Sequence, residues 1–480
     1  MAFPVILVNS ATGSDSAASG AGPGTALTGV SASTSADGLT VTLDGSPDLS
    51  GVSNLGSHVI YLADTTAGAR NFGKITAVDD VAKTVTVSNA FGLSLSGKAW
   101  AIGGKRASIG STTSKKLFDN NTAAGDAMPG WIVEMESGHT ETIAANYVLR
   151  RTGNTTDGPI CLQGTNGAAT RPIVTFSNNG VAFSVATNAL YITFKHFEIQ
   201  NSNATKTASI AIKYNDPNGP TTIQNVKVSN STNNFWKAFQ INNQYKIRDC
   251  EIGYCANVGI DVINTVGGLT IVNNWIHDCT SHGIVTLSLI ACEIANNVIV
   301  FNGGDGINAG LANASTNRGV WIVGNTLHGN ASDGIEITGA AENMNNNVID
   351  NNIYSFNGGY GLNFSNASAT APFLAALGIT VAGNNFYSNT SGKYNPSGMT
   401  NSEGESTTDP SGGLATAAKD FAGTTGGSNF EVVAAVKGLG YPLGGTLKVG
   451  TTSDTDSYVD AGAAQRQEAA GGGGGFIIGA

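Results

Sequence analysis

Charged side chains are scarce in this sequence: only 12% of its 480 residues are Asp, Glu, Lys or Arg, and the net charge is −10. The 24 basic residues never form a long run, so the chain lacks the basic footprint typical of nucleic-acid binding. No stretch approaches the ~20 apolar residues that would span a bilayer. We therefore expect neither nucleic acid nor a membrane among the partners of this chain.

Cysteine is sparse too, and the five cysteines show neither a CxxC pair nor the spacing of a zinc site. This pattern predicts no metal and no cofactor. The first residues lack the positive segment and the apolar core of a signal peptide, so we expect synthesis in a cytoplasm without a cleaved leader. Asn, Ser and Thr stand where Lys and Glu would be common, and 64 residues are Gly. That composition favours strands joined by tight turns over helices.

One pattern recurs through the middle of the chain, most clearly between residues 247 and 365. Each unit has a short apolar strand, an Asn-rich corner, a second strand, and then a Gly followed by an apolar residue. With the last apolar residue of the second strand as anchor, successive units are 29, 24, 24, 23, 28, 27 and 32 residues apart. A period in the twenties predicts stacked supersecondary units. The anchors are Ile199, Val228, Ile252, Ile276, Ile299, Leu327, Tyr354 and Phe386.

Stacking would turn every position of the repeat into a column of direct neighbours. Asn amides in such a column can hydrogen-bond from one layer to the next. Cys255 and Cys279 would lie on adjacent rungs, within disulfide reach, although two reduced thiols are the favoured state. The predicted structural ladder has one column of Asn274, Asn297, Asn325, Asn352 and Asn384, and a second of Cys255, Cys279, Asn302, Asn330 and Asn357.

Several segments resemble known coils. Gly125-Asp126 followed by residues 131–143 resembles the opening coil of right-handed parallel β-helix proteins of the pectate-lyase-like superfamily, and residues 164–176 resemble an early coil. Residues 458–465 resemble the closing strand of bacterial and phage β-helix proteins. The resemblance implies an all-β chain: a right-handed single-stranded parallel β-helix preceded by a small N-terminal β domain. It says little about function, because the family includes lyases, hydrolases, epimerases and non-catalytic viral spikes.

Changes in composition predict five segments. They are an N-terminal attachment or assembly module at 1–108, a linker at 109–118, the β-helix at 119–392, a closing region at 393–468, and a Gly-rich linker with an apolar tail at 469–480. Residues 9–38 have few large apolar side chains, so they are predicted to be loop or extended chain. Strands are predicted at 39–43, 58–63, 74–78, 84–88 and 98–102, and a short helix at 430–437.

Carboxylates recur around the Gly–apolar steps of the central units. Asp305 and Asp333 precede a step, Glu336 follows one, and His282 shares the column of the two aspartates. Paired carboxylates are what glycoside hydrolysis requires, one as acid and the other as base or nucleophile. Asp before Gly is also ordinary turn chemistry, in which the side chain caps backbone groups. The structural interpretation is favoured, and these four residues are the candidate catalytic group.

Aromatic side chains in the same units could offer a stacking platform for sugars. The candidates for contact with a host surface polysaccharide are Trp275, Trp321, Tyr354 and Tyr360.

The resemblance, the missing leader, the separate N-terminal module and the apolar C-terminal tail together favour a structural phage virion protein: a surface spike, fibre or decoration that mediates attachment, and not an enzyme. A homo-trimer is the family expectation, with other virion proteins bound through 1–108 or 469–480. One alternative is a polysaccharide hydrolase or depolymerase that uses the carboxylates. A second is a bacterial surface or adhesion protein, located outside the cell or on its surface.

Overall fold

The computed structural model describes residues 5–12, 22–50, 52, 58–62, 72–88, 90–91, 94–105, 109, 130–144, 146–149, 159–185, 191–204, 210–214, 221–228, 233–242, 245–311, 319–338, 347–365 and 379–397. Within these ranges the regular structure is strand and no helix is present, so none is long and apolar enough to cross a membrane. The chain forms two compact units, residues 1–233 and 234–480.

Unit 1 contains a small closed barrel of antiparallel strands in the order β2-β3-β6-β5-β4-β7. Apolar residues alternate along its short strands, as a half-buried β-strand requires, and they enclose a core that includes Val41, Ile75 and Trp100. The indole N–H of Trp100 donates to Asp44 at 2.7 Å, which satisfies the one polar group of this buried ring. The barrel strands are β2 (Gly22–Thr34), β3 (Thr40–Leu43), β4 (Val59–Leu62), β5 (Phe72–Asp79), β6 (Thr84–Val87) and β7 (Lys98–Gly104).

The rest of unit 1 is a parallel solenoid in which each coil adds one strand to each of three sheets. The first sheet holds β1 (Val5–Val8), β8 (Ile132–Met135), β11 (Ile160–Gly164), β14 (Ile192–Lys195) and β17 (Thr221–Gln224). The second holds β9 (Thr140–Ile143), β12 (Ile173–Phe176), β15 (Glu198–Asn201) and β18 (Lys227–Val228). The third holds β10 (Tyr147–Leu149), β13 (Val181–Val185) and β16 (Ile210–Tyr214).

Strand β1 differs from the expectation that everything before residue 108 forms one separate module. It pairs in parallel with β8, so it belongs to the solenoid, and the barrel follows it in the chain. Two hydrogen bonds of Ser10 hold the chain just after β1 against the solenoid. The Ser10 N–H donates to Nδ1 of the buried His139 at 3.1 Å, and the Ser10 hydroxyl accepts from the N–H of Thr140. The sequence of β1 does not indicate which strand it pairs with, because it is a four-residue apolar run and its partner β8 lies more than a hundred residues away.

Unit 2 has the same three-sheet plan. Its first sheet holds β20 (Tyr245–Arg248), β23 (Thr270–Val272), β26 (Glu293–Ala295), β29 (Trp321–Val323), β32 (Val348–Asp350) and β35 (Thr380–Ala382). The second holds β21 (Glu251–Gly253), β24 (Trp275–His277), β27 (Val298–Val300), β30 (Thr326–His328), β33 (Ile353–Ser355) and β36 (Asn385–Tyr387). The third holds β19 (Lys237–Ile241), β22 (Val258–Gly267), β25 (Ile284–Ile290), β28 (Ile307–Leu311), β31 (Ile335–Thr338), β34 (Tyr360–Phe364) and β37 (Gly392–Asn395).

The predicted register of unit 2 is confirmed. Each anchor lies opposite the next, so Ile276 pairs with Ile299, Ile299 with Leu327, and Leu327 with Tyr354. These side chains are fully buried, because successive residues of a strand face opposite sides and the anchors all face inward. No coil could cover this core alone, so the neighbouring rungs must complete it.

The asparagine ladder is confirmed as well. Asn297 and Asn325 lie on touching rungs: the Asn297 amide donates to Oδ1 of Asn325 at 3.0 Å, and so does the Asn297 backbone N–H. Asn325 repeats both contacts with Asn352 and donates a further hydrogen bond to the carbonyl of Ile294 at 2.9 Å. The second column behaves in the same way from Asn302 through Asn330 and Asn357 to Asn389.

Cys255 and Cys279 are buried neighbours on adjacent rungs, and both are free thiols. A hydrogen bond with Cys279, together with burial, raises the pKa of Cys255 well above its usual value. The protonated form is therefore favoured, and the two thiols fill their column as small side chains.

Residues 9–38 were predicted to be loop or extended chain, and 13 of them, Gly22–Thr34, form the regular barrel strand β2. It is paired on both sides, with β3 and with β7, so hydrogen bonding supports it despite its lack of large apolar side chains. The five barrel strands predicted after it are confirmed within a few residues. The opening motif at 125–126 and all features predicted beyond residue 397, including the helix at 430–437, the closing strand at 458–465 and the tail at 469–480, lie outside the described residues.

Replacing Asn325 by Ala tests the ladder. The change leaves the backbone N–H of Asn297 and the carbonyl of Ile294 buried without their partner, and we expect the free energy of unfolding to fall by roughly 2–4 kcal/mol. The measurement is chemical denaturation followed by circular dichroism. Asn264→Ala, at an exposed site of the same unit, is the control and should change stability by less than about 0.5 kcal/mol. Equal effects of the two substitutions would contradict a stabilising role for the ladder.

Candidate functional site

The four candidate catalytic residues come together where each coil of unit 2 enters its third sheet. His282, Asp305 and Asp333 lie on successive rungs, because the backbone N–H groups of Gly283 and Gly306, which follow two of them, donate to the carbonyls of Asp305 and Asp333. Glu336 lies two residues into the third-sheet strand β31, after Gly334 and Ile335. We call these four residues the carboxylate cluster.

The column of the cluster is held together by hydrogen bonds from backbone to side chain. Nδ1 of His282 accepts from the N–H of Asp305 at 2.9 Å, and Oδ1 of Asp305 accepts from the N–H of Asp333 at 2.9 Å. Oδ1 of Asp333 accepts in turn from the N–H of Tyr360 at 2.6 Å. Each side chain thus caps the next rung rather than its own turn.

The second carboxylate oxygens are bound by amides of the neighbouring column. Nδ2 of Asn308 donates to Oδ2 of Asp305 at 3.0 Å and to Oε2 of Glu336 at 2.5 Å. Nδ2 of Asn363 donates to Oδ2 of Asp333 at 2.6 Å. Asn308 therefore bridges the carboxylates of Asp305 and Glu336. The two oxygen atoms that it contacts can be no farther apart than the sum of these two hydrogen-bond lengths.

His282 has two competing contacts at one nitrogen. Its Nδ1 lies 2.9 Å from the backbone nitrogen of Asp305 and 3.1 Å from Oδ2 of the same residue. A neutral ring with a free lone pair on Nδ1 accepts from the backbone, whereas a protonated ring donates to the carboxylate. The ring also rests against Gly304, where an added Cβ would lie 2.8 Å from Nδ1.

The cluster separates the acidities of its carboxylates. Burial raises the pKa of Asp305, but hydrogen bonds from His282, Ser332 and Asn308 outweigh it and hold that pKa well below its usual value. Burial raises the pKa of Asp333, and the charge of Asp305 adds to the effect. Burial also raises the pKa of Glu336, helped by a hydrogen bond with Asp305 and by both aspartate charges. Neighbouring groups with acidities pushed apart are the arrangement that acid–base catalysis uses.

Access to solvent is divided unequally within the cluster. Asp305 is 1% exposed and Asp333 6% exposed, and both oxygens of each carboxylate already accept hydrogen bonds. Glu336 is half-buried, and the side chain of His282 is 29% exposed. A ligand on this face could contact Glu336 and His282 directly. The buried Asp305 and Asp333 could act on it only indirectly, through their electrostatic effect on Glu336 and His282.

The four aromatic candidates do not form one platform. Trp275 is half-buried on the second sheet and stacks on His277 at 4.0 Å between ring centroids, while Trp321 is 56% exposed on the first sheet. Tyr360 is half-buried in the column of the cluster. Tyr354 is fully buried and stacks on Phe386. The prediction that Tyr354 contacts a sugar is wrong, because its anchor position faces the core and leaves none of the ring exposed.

Sequence reasoning missed a row of aromatic residues at the corner that follows the second sheet. They lie two residues after the anchors, so the same alignment that found the anchors contains the signal. The row consists of Tyr254, Phe301 and Phe356, which are half-buried or exposed.

No three His, Cys, Asp or Glu side chains in the described ranges are grouped so that they could hold a metal ion.

No protein-family model matches the chain, and no curated protein matches it. Among solved structures, pectate lyase Pel9A is similar over 75% of this chain and 94% of its own, with a TM-score of 0.51 and 15% identity. The enzymatically active domain of bacteriophage CBA120 tailspike protein 2 covers 69% of this chain and 46% of its own, with a TM-score of 0.38 and 12% identity. The A-module of mannuronan C-5 epimerase AlgE4 from Azotobacter vinelandii covers 54% and 68%, with a TM-score of 0.36 and 16% identity.

At such low identity the likeness to the pectate lyase establishes the fold and nothing about activity. The chain is a right-handed parallel β-helix with a small antiparallel β-barrel near its N-terminus.

Opposite effects of two neutralising substitutions test the electrostatics of the cluster. The pKa of Asp305 is lowered from a usual 3.8, so its ionised form stabilises the fold above that pH, and this contribution is lost as the pH falls. The pKa of Glu336 is raised from a usual 4.5, so its contribution lowers stability as the pH rises above that value. At about pH 7 we expect Asp305→Asn to lower the melting temperature and Glu336→Gln to raise it.

Scanning calorimetry at about pH 7 and about pH 3 makes the comparison, and both differences should shrink at the lower pH. Shifts of the same sign at neutral pH would contradict the separation of acidities.

Proposed function

We propose that this chain is a surface-attachment protein of a phage virion, a spike, fibre or decoration, whose β-helix is a rigid stem and not a catalytic domain. The observation that carries the proposal is the use of the two buried aspartates. Asp305 and Asp333 each give one oxygen to the backbone of the next rung and the other to an amide. Carboxylates committed in this way hold layers together, and neither is free to attack or deprotonate a substrate.

Rigidity along the stem supports the same role. The Asn column from Asn274 to Asn384 and the second column from Asn302 to Asn389 are continuous hydrogen-bonded ladders, and their amides satisfy buried backbone groups on those rungs. Fully satisfied buried polar networks fix a single arrangement of their parts. A stem of this kind presents its side chains in fixed positions to a binding partner.

In the proposed setting, residues 1–108 or 469–480 bind other virion proteins, and the stem presents a face to a host surface polysaccharide. The small barrel of unit 1 supports an anchoring role for the N-terminal part, since it has its own core and its own closed hydrogen bonding. A homo-trimer and a place on the virion belong to the same proposal. A bacterial cell-surface protein with the same stem is the alternative setting.

A second candidate function, a polysaccharide depolymerase, is favoured by the separated acidities of the cluster. Glu336 would be the general acid, because its pKa is raised and it reaches solvent. It would donate its proton to the glycosidic oxygen as the bond to the anomeric carbon breaks. Asp305 would stay ionised and stabilise the positive charge that develops on the sugar ring. Water would then add to the anomeric carbon and give its proton to the Glu336 carboxylate, which restores the acid.

The virion assignment predicts that the chain is a stoichiometric component of purified particles. Particles banded in a density gradient and analysed by quantitative mass spectrometry should contain it at a constant ratio to the major capsid protein. Its enrichment in the bacterial envelope fraction, with none in the particles, would overturn the assignment in favour of a cell-surface protein.

The attachment role predicts no cleavage of capsular or O-antigen polysaccharides by the purified chain, measured as new reducing ends and as loss of polymer length. If cleavage is found, the depolymerase requires that Glu336→Gln lower it by a factor on the order of a hundred or more. Glu293→Gln, on the first sheet away from the cluster, is the matched control and should retain full activity. Cleavage that survives Glu336→Gln would remove the cluster as its source.

A further inference from the structure

Aromatic side chains recur on alternate rungs at the corner where each coil of unit 2 leaves its second sheet. Tyr254, Phe301 and Phe356 occupy this corner with φ of 55°, 57° and 54°. The corner positions of the rungs between and after them are Asp278, Gly329 and Ser388, also with positive φ.

Bulky residues in this conformation are unusual. The left-handed region is normal for Gly and tolerable for Asn and Asp, whereas an aromatic residue there is strained. Unit 2 respects the rule at the corner that follows its first sheet, where the residues with positive φ are Asp249, Asn273, Asn296, Gly324, Asn351 and Gly383. Aromatic residues at the second corner are therefore a departure from a pattern that the same coils obey elsewhere.

The three rings are not fully buried. Phe356 is 37% exposed, and Tyr254 and Phe301 are half-buried. Each ring thus keeps part of its surface in water, on a corner where Asn or Gly would serve the backbone better. Residues held in sparsely populated backbone conformations cluster at functional sites, so these partly exposed rings are candidates for contact with a ligand.

The rings are held in fixed orientations. His328 is buried and makes edge contacts with Phe301 and with Phe356, at 5.2 and 5.5 Å between ring centroids. Phe356 also meets Tyr387 edge-on at 5.2 Å. The ring of Phe301 lies over Gly329, where an added Cβ would be 2.7 Å from it. Pre-oriented rings lose little entropy when a ligand stacks on them.

The strip beside the row has small side chains and no positive charge. Five-residue segments lead from the corner to the column of the cluster, and none of them contains Lys or Arg: 278–282, 301–305, 329–333, 356–360 and 388–392. Their exposed middle positions are Thr280, Gly303, Ala331, Gly358 and Thr390. A ligand on the strip would meet rings on one side and carboxylates, hydroxyls and backbone on the other.

We propose that Tyr254, Phe301 and Phe356 are the stacking positions of a binding site for an extended, uncharged polysaccharide that runs along the solenoid axis. Rings on alternate rungs lie about 10 Å apart, the same length scale as the repeat of two sugar units in an extended chain. Sugar C–H faces stack on aromatic rings, and sugar hydroxyls fit the polar strip. A uronate polymer would face the carboxylates of Asp278 and Glu336 beside a strip whose five segments contain no Lys or Arg.

A second copy of the chain suits this surface less well. The core of a protein interface is a continuous desolvated apolar patch, but Asp278, Gly329 and Ser388 interrupt the rings on the intervening rungs. Alternating apolar and polar steps match a glycan, which presents both along its length. The proposal deepens the attachment role and rests on it for its biological setting, because it names the class of surface that the stem would recognise.

The test is binding of defined hexasaccharides to the full chain, measured by isothermal calorimetry and saturation-transfer NMR. The probes are neutral hexamers of β-1,4-linked glucose, β-1,3-linked glucose and β-1,4-linked mannose, with a hexamer of galacturonate as the anionic comparison. We expect at least one neutral hexamer to bind and the galacturonate hexamer to bind more weakly. Phe301→Ala and Phe356→Ala should each weaken binding about three- to tenfold. Tyr191→Ala removes a half-buried aromatic ring that also has a positive φ but lies outside the row, and should leave affinity unchanged.

Circular dichroism establishes that each variant folds, and Phe356→Leu, which keeps an apolar side chain but removes the ring, should also weaken binding. Failure of every neutral hexamer to bind overturns the proposal, as does unchanged affinity in both Phe variants. A change of oligomeric state on Phe356→Ala, seen by sedimentation without an effect on glycan binding, would make the row an interface between copies. Absence of the chain from particles, with glycan binding intact, would overturn the virion assignment and leave this site standing.

Discussion

The hydrogen bond from one rung to the next governs everything else in the solenoid. Every strand of unit 2 pairs in parallel with the equivalent strand of the neighbouring coil, so each residue lies against its own counterpart one rung away. A uniform column therefore requires a residue type that can stack on itself. Asn does so because its amide can donate and accept at once, and Ile or Leu does so because like shapes fill a continuous core.

Close approach adds a second constraint, visible at the Gly–apolar steps. An added Cβ on Gly283 would lie 2.7 Å from the carbonyl oxygen of Gly306, and one on Gly306 would lie 2.7 Å from the carbonyl oxygen of Gly334. Only Gly leaves room for the backbone of the next rung at this position. The recurrent Gly that marks each repeat in the sequence is thus a packing requirement of the stack.

These constraints explain which features the sequence could predict. A column that must repeat the same residue is visible as a period, so the register of Ile276, Ile299 and Leu327 and the Asn297–Asn325 contact follow from spacing alone. Strand β2 has no such column, because its partners lie in an antiparallel barrel where no position repeats. The burial of Tyr354 follows from its anchor position, because the period places every anchor on the inward face of its strand.

The carboxylate cluster and the aromatic row show where a repeating stack tolerates residues that differ from those of its uniform columns. Like charges on adjacent rungs repel, and in a buried column this cost is large. Asp305 and Asp333 are tolerated because backbone N–H groups and the amides of Asn308 and Asn363 donate to them. Without those donors, adjacent aspartates would be excluded as firmly as a side chain at Gly306.

The row obeys the same limit in another form: rings are placed on alternate rungs, with Asp278 and Gly329 between them, since a bulky ring such as Phe301 needs the space above its neighbour. Residues that break a column must leave room for the rung beside them. Unit 2 therefore departs from its own repeat only under certain conditions. The carboxylates of the cluster accept hydrogen bonds from neighbouring donors, and the rings of the aromatic row have small or polar residues on the rungs between them. The Asn ladders of the same coils stay uniform.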